Sequence, residues 1–550
     1  METRWSLLSN RYLNKGTAFN AAERDRYGLE GLLPPVVETI ETQLRRVRLA
    51  YNIQDNDLDR HRFLRGLQER NSVLYYRFLA DNLAEVLPVI YTPTVGVACE
   101  AWSENYRSEH GLYVSWEHRH RIPELLDNAI GDNKLEVVVV TDGERVLGLG
   151  DLGVGGMGIS IGKLSLYTSA GGINPGRSLP VLLDAGTNNQ KLLSDPLYIG
   201  WRHERIRGAQ YDELVDAFVS ALHERHPDVL MQWEDFAQLN ATRLLVRHRK
   251  HICSFNDDVQ GTAIVASAAI AAGLRMSGTP FADLRLVIAG AGSAGIGIAG
   301  QVVRALMTAG LSETQAIDRC WMVDRDGLLH DEQEDLREFQ RRFERPRSQV
   351  TELAGSGTMS LLETVKHVQP HAIVGVTGQA GLFSEEVIRE QAAAIERPVV
   401  LPLSNPTLRA EATPGDVIEW SDGRAIIGTG SPFGPVKYRG VTHHISQVNN
   451  VYVFPGIGLG AVAVKARAIS DDMLTTAANA LGELAPESAG QLGAALLPPV
   501  SEARDVARHV ATAVACQAVA EGLADPLDDS EVAERVDKKM WQPEYRERIF

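Results

Sequence analysis

Two acidic pairs have the residue types and the setting for metal chemistry. Glu234-Asp235 closes the apolar run at 229–233, and Asp257-Asp258 follows Cys253-Ser254-Phe255-Asn256. Both runs read as buried parallel strands. If the strands are neighbours, their carboxyl ends bring three or four carboxylates to one spot. That edge of an open α/β sheet is where ligands bind. Carboxylates so placed repel one another unless protons or a cation intervene. An oxygen-only donor set suits Mg²⁺ or Mn²⁺. The plain alternative is two solvated acidic loops, and the placement directly behind apolar strands argues against it.

A second chemical feature is Gly290-Ala291-Gly292-Ser293-Ala294-Gly295, which follows an apolar run at 284–289 and opens a small-residue helix reaching about residue 309. A G-x-G-x-x-G alone is weak. Here a strand precedes it, a helix follows it, and a further strand at 320–323 ends in Asp324. Free N–H groups at the helix start favour a pyrophosphate, and Asp324 can accept hydrogen bonds from the adenosine ribose. The spacing from Gly290 to Asp324 exceeds the usual ~20 residues, which a helical extension over 308–319 would account for. Asp324 opposes a 2′-phosphate and favours NAD. Arg325, Arg341 and Arg342 lie close by in sequence and leave NADP open.

Single residues elsewhere carry weaker signals. Tyr91 ends an apolar segment just before Pro93 and Gly96. Lys163 stands among Ile161, Gly162, Leu164 and Leu166, a buried-looking context at the opening of a helix. Glycines crowd residues 148–158, which implies tight turns or close backbone approach to a ligand. Asn405 and Asn450 lie in turns at strand ends, where Asn usually serves backbone geometry.

The elements that must position these residues follow from periodicity. Residues 1–130 look mainly helical, with Val36, Val37, Ile40, Leu44 and Val47 on one stripe behind Pro34-Pro35. Strands are expected at 137–140, 179–183, 371–376, 398–403 and 425–427. The helix from Gly261 to about Met276 leads to a loop with Gly278 and Pro280, which serves as the domain boundary. Val506, Val510 and Val514 mark an amphipathic helix over 501–520, and the charged stretch from Asp525 on reads as peripheral. The expected division is a helical N-terminal region at 1–130, a substrate and metal part at 131–277, a Rossmann-type domain at 278–523, and a tail at 524–550.

With 550 residues, the chain can hold two or more domains. A net charge of −16 argues against nucleic acid or an anionic membrane as partner. The four cysteines form no C-x-x-C, which suits reduced thiols in the cytoplasm, and Cys253 reads as a packed strand residue. The apolar stretch at 263–274 is too short to span a bilayer, and no targeting segment is expected at the N-terminus.

Several stretches together resemble malic enzymes: Tyr91-Thr92-Pro93-Thr94-Val95-Gly96, the glycine-rich run from Asp142 to Lys163, Glu234-Asp235-Phe236, Phe255-Asn256-Asp257-Asp258, Ser404-Asn405-Pro406-Thr407 and Asn449-Asn450. The resemblance spans about residues 15–545 and is closest to bacterial NAD-linked members of the large-subunit type. It implies an α/β fold with a helical N-terminal region, a parallel-sheet substrate and metal domain, and a Rossmann-type NAD domain. It also implies oxidative decarboxylation of (S)-malate to pyruvate and CO₂ with NAD⁺ and Mg²⁺ or Mn²⁺, in a homodimer or homotetramer. Carried over by position, Glu234, Asp235 and Asp258 match the metal ligands, Lys163 the general base, Tyr91 the general acid, and Asp257 a carboxylate beside Lys163. Arg145, Asn405 and Asn450 match substrate binders, and the cofactor residues are Gly290, Gly292, Ser293, Ala294, Gly295 and Asp324, with Arg145, Asp258 and Asn405. Arg46 and Arg70 resemble positions of an effector site present in some members; many bacterial relatives lack that regulation, and both are read as structural arginines. Two other readings stay open: a malolactic enzyme, which releases lactate without net NADH, and an inactive metabolite-sensing relative.

Overall fold

The structure is a computed structural model and describes residues 4–131, 133–146, 148–354, 358–484 and 490–546. The chain forms two compact units. The first comprises Met1–Phe255, Ala461–Ala468 and Leu523–Phe550, and the second Asn256–Gly460 and Ile469–Gly522. The change of unit falls before the helix Thr262–Ser277, whereas the sequence reading puts the boundary after it, at the loop with Gly278 and Pro280. That helix packs on the helices Ser293–Thr308 and Asp471–Glu483, both of the second unit.

The first unit is helical up to Glu100, then builds a five-stranded sheet. Its strands are β1 (Leu112–Ser115), β2 (Val137–Thr141), β3 (Ser178–Asp184), β4 (Leu230–Trp233) and β5 (Ser254–Asn256), in the order β1-β3-β2-β4-β5. β1 lies inside the stretch read as helical; its four residues are too few to show a period. The pairs β1–β3, β2–β3 and β2–β4 are parallel. Every residue of β2 is buried, as a central strand covered on both faces requires. The helix Met157–Ser169 lies against β2 and β3 and is buried on all sides, which explains why its sequence shows no polar face. Lys163 is its seventh residue, so it lies mid-helix rather than at the opening.

Two expectations for the ends of the chain need correction. Val36 and Val37 precede the helix and are exposed. The helix is Ile40–Asn52, started by Thr39, whose hydroxyl accepts the Thr42 N–H. The charged stretch after Asp525 is not peripheral. The helix Asp529–Lys539 opens with a capping box and buries Val532 and Val536, while Lys539 pairs with buried Glu136 at 2.7 Å. Beyond it the Trp541 N–H donates to Gly172 O and the Tyr545 hydroxyl to Gln43.

The second unit carries a seven-stranded sheet. Its strands are β6 (Leu286–Ala289), β7 (Cys320–Asp324), β8 (Gly327–Leu328), β9 (Ala372–Gly375), β10 (Val399–Pro402), β11 (Ile426–Thr429) and, after the hairpin β12 (Val436–Tyr438) and β13 (Val441–His443), β14 (Ser446–Gln447). The order is β14-β11-β10-β9-β6-β7-β8, parallel except for β7–β8. β7 lies on one side of β6 and β9 on the other, so the winding reverses at β6. That switch point opens a crevice at the carboxyl ends of the strands. The helix Ala503–Ala520 buries Val506, Val510 and Val514 as its stripe predicts. The stretches Leu83–Glu100 and Asp257–Ser277 are long and apolar enough to pass as membrane spans by composition, but 61% and 72% of them is buried within the protein. The second exceeds the apolar run at 263–274 because a π-turn at Asp257–Gly261 extends the helix backwards.

Candidate active site

In the first unit, helix and sheet meet through a polar seam. Lys163 and Tyr167 are one helical turn apart, and Gln232 and Glu234 are two residues apart on β4 and its exit, so each pair shares a face. Lys163 Nζ lies 3.0 Å from Glu234 Oε1, with both side chains 1% exposed. The other oxygen, Glu234 Oε2, accepts from Gln232 Nε2 at 2.7 Å, and Gln232 Oε1 accepts from the Tyr167 hydroxyl at 2.5 Å. A buried ion pair is tolerated when its remaining lone pairs are also satisfied. Tyr91, buried at the end of the helix Leu83–Ile90, places its ring centroid 5.1 Å from Lys163 Nζ.

Asp235 follows with φ +54°, a left-handed conformation that Asp tolerates better than most residues. Its carbonyl accepts the Arg145 N–H at 3.2 Å, which fixes the turn after β2 against the exit of β4. The Arg145 side chain is exposed. β4 and β5 are neighbours, joined by Met231 N–H to Cys253 O at 2.9 Å, and the two acidic pairs directly follow these strands. Cys253 is buried, and burial pushes its thiol up to about 12, in keeping with a packing role.

Part of the glycine stretch is packed against its neighbours, while a Cβ on Gly148 or Gly150 would meet nothing within 4 Å. A Cβ on Gly143 would lie 2.0 Å from Gly153 O, and one on Gly155 would lie 2.4 Å from Cys99 O. These glycines let the chain pack on itself. The stretch is anchored by a network that sequence reasoning missed. Arg205, fully buried, forks Asp151 at 2.9 and 2.8 Å and lies 4.0 Å from Asp142, which accepts the Tyr211 hydroxyl at 2.5 Å. Asp151 also accepts from Thr187 Oγ1 and the Asn188 N–H. Burial raises the Asp142 carboxyl against the pull of Arg205, whereas Asp151, also opposed by burial, is held low by its Arg205 fork and the Asn188 amide. Only the pairing of Asp142 and Asp151 across the glycines hinted at it; Arg205 is 54 residues from Asp151.

Within the second unit, Asp257 is fully buried and accepts from Asn450 Nδ2 at 2.9 Å. Gly261 must be glycine, since a Cβ there would lie 2.0 Å from Asp257 Oδ1. Asp258 is half-buried. Asn405, in the turn after β10, is exposed and accepts the Ser431 hydroxyl at 2.6 Å. These bonds orient both Asn side chains, so they are more than turn formers.

The dinucleotide fingerprint has the required shape. Gly290 has φ +103°, and a Cβ on Gly295 would lie 1.9 Å from Gly290 O, so both serve the tight strand-to-helix turn. A Cβ on Gly292 would meet nothing within 4 Å, which leaves its face open to a ligand. Ser293 and Ala294 start the helix Ser293–Thr308 and present its free N–H groups. A cavity of about 1010 Å³ lies at the switch point, lined by Gly290, Gly292, Asp324, Arg325, Val376 and Thr377 among others. Asp324 ends β7 as expected, and the helix Glu313–Asp318 fills the long spacing before it. Of the three arginines, Arg341 and Arg342 pair with Glu344 and Glu313 and do not line the cavity. Arg46 is paired in a fork with Glu38.

Comparison with known proteins agrees with this layout. The family profile described as malic enzyme, N-terminal domain, matches residues 68–249, and that described as malic enzyme, NAD binding domain, matches residues 259–519. The chain belongs to the malic enzyme family. It is 51% identical over 542 residues to a protein of Sodalis glossinidius named NAD-dependent malic enzyme, covering 98% of this chain and 96% of the relative. It is 49% identical over 543 residues to one of the same name from Pseudomonas aeruginosa, with the same coverage. Among solved structures, the Entamoeba histolytica malic enzyme aligns with a TM-score of 0.57 at 24% identity, over 94% of this chain and 91% of that one.

Proposed function

We propose that this protein is an NAD-dependent malic enzyme: (S)-malate and NAD⁺ give pyruvate, CO₂ and NADH. The observation that carries this is full-length identity of about half to relatives of that name, joined to a dinucleotide crevice and a buried lysine beside a carboxylate strand exit. Glu234, Asp235 and Asp258 are proposed to hold Mg²⁺ or Mn²⁺. Adjacent strands deliver the two acidic pairs to the same sheet edge, and the donors are all carboxylate oxygens. When bound, the cation supplies Lewis acidity at the C2 oxygen and the nicotinamide accepts the C2 hydride.

The remaining steps fall to the chain's own residues. Arg145 forks one malate carboxylate in a charge-assisted pair, with Asn405 and Asn450 fixing the substrate's other polar groups. Lys163 takes the hydroxyl proton as hydride leaves C2, giving oxaloacetate. Loss of the C4 carboxylate as CO₂ leaves enolpyruvate, and Tyr91 delivers a proton to C3, replenished through Lys163. The proton removed at the start is returned at the end, so the reaction releases none. The resemblance gives Asp257, which accepts from Asn450 Nδ2, the role of a carboxylate supporting Lys163. Glu234 pairs with the Lys163 ammonium; a cation held by Glu234 would take over that carboxylate and favour the neutral amine that the base role needs, with the Tyr91 ring alongside.

The reading is tested by turnover with malate, NAD⁺ and Mn²⁺, following both NADH and end product. NADH and pyruvate formed in equal amounts, and lost on adding chelator, are the expected result. Lactate without NADH would replace this reading with the malolactic one, and no turnover would favour an inactive sensor. The resemblance supports a homodimer or homotetramer, and the free cysteines a reducing cytoplasmic setting.

A further inference from the structure

Glu411 is a buried carboxylate that the chemistry above does not use. Its side chain is completely shielded from water. No Lys, Arg or His pairs with it among the described residues. Four neutral donors satisfy it instead. Oε1 accepts the Thr377 N–H at 2.8 Å, the Thr377 hydroxyl at 2.9 Å and the Ser404 hydroxyl at 2.5 Å, and Oε2 faces the Ser404 N–H at 3.4 Å. Ser404 Oγ in turn accepts the Gly378 N–H at 2.8 Å. The carboxylate is seated against β9 at Gly375, where a Cβ would lie 2.6 Å from Glu411 Cδ. Burying an ion without a counter-charge is costly, and an apolar side chain would fill the same space at less cost.

The partners indicate what the carboxylate does. Thr377 and Gly378 form the exit of β9, and Ser404 and Asn405 the exit of β10. Val376, Thr377 and Gln379 line the cavity that also holds the glycine loop and Asp324. The Gln379 N–H donates to Thr377 Oγ1 at 3.0 Å, so the Glu411 bonds extend along that wall. We propose that Glu411 is a positioning residue for the reaction: it locks the exits of β9 and β10 to each other, and so sets one wall of the cofactor crevice and the turn that presents Asn405. It touches neither cofactor nor substrate. The proposal rests on the reading of this crevice as the NAD site.

Glu411→Gln tests it, because the carboxamide keeps the shape but turns an NH₂ toward a donor. NADH affinity is read by fluorescence titration, KM for NAD⁺ and malate by turnover, and Mn²⁺ affinity separately. The expected result is NADH binding weakened about tenfold, a parallel rise in KM for NAD⁺, and unchanged Mn²⁺ affinity. Ser404→Ala, which keeps the carboxylate but cuts the link to Gly378, should weaken NADH in the same direction and serves if Glu411→Gln fails to fold. A folded variant binding NADH within about twofold of the wild type, or losing NADH and Mn²⁺ equally, would overturn the proposal. Failure of the wild-type protein to bind NADH would instead sink the crevice assignment and the proposal with it.

Discussion

Lys163 has its ammonium beside a carboxylate and an aromatic face where water does not reach. Such a group has few roles besides balancing Glu234 and handling a proton. Replacing it separates the two. Lys163→Ala is expected to lower kcat by about 10³-fold, within the range for loss of a general acid–base group, while Mn²⁺ still binds. Wild-type-like turnover would remove the base assignment. At this scale the sequence was informative in one direction only. A lysine among Ile161, Gly162, Leu164 and Leu166 can be recognised as buried, but nothing in it shows that the partner is Glu234, because that residue stands 71 positions further along the chain, at the exit of another element. Asn405 and Asn450 were legible only by resemblance, since an Asn that orients a side chain and one that shapes a turn look alike in one dimension.

At the scale of elements, the order of the β-branched runs allowed most strands to be located, and their burial explains why. Val137–Thr141 is covered on both faces, so every position is apolar or small. The misplacements have local causes. Thr39 offers a hydroxyl cap and outweighs Pro34-Pro35 as a helix start, and β1 is too short to show a period. The glycine-rich run reads as tight turns or ligand approach; Gly153, Gly155 and Gly156 are packed against Tyr198, Cys99 and Gly143, and Gly148 and Gly150 face open space. What holds that run is Asp151, tied to Arg205, Thr187 and Asn188. Asp151→Ala would leave buried Arg205 without its fork, with Asp142 at 4.0 Å and the charge of Glu144 to balance it. The expected loss is about 3–5 kcal/mol, read as a lower denaturation midpoint by tryptophan fluorescence. A change below about 1 kcal/mol would mark the fork as dispensable.

At the scale of the whole molecule, two segments cross back in a way no local pattern announces. Ala461–Ala468 and Leu523–Phe550 belong with the first unit although they lie beyond or inside the second in sequence. The return is secured by a few contacts, such as Lys465 to Asp228 at 3.1 Å and Lys539 to Glu136 at 2.7 Å. In sequence these charges are indistinguishable from a solvated surface. The acidic pairs are the opposite case, because strand order alone brings their carrier strands side by side. Mn²⁺ binding, followed by electron paramagnetic resonance of the free ion, tests that carboxylate edge most directly. One Mn²⁺ per chain in the wild type, with affinity reduced more than about 100-fold in Asp258→Asn and turnover lost in step, is the predicted result. Asp258→Asn binding Mn²⁺ as tightly as the wild type would contradict it.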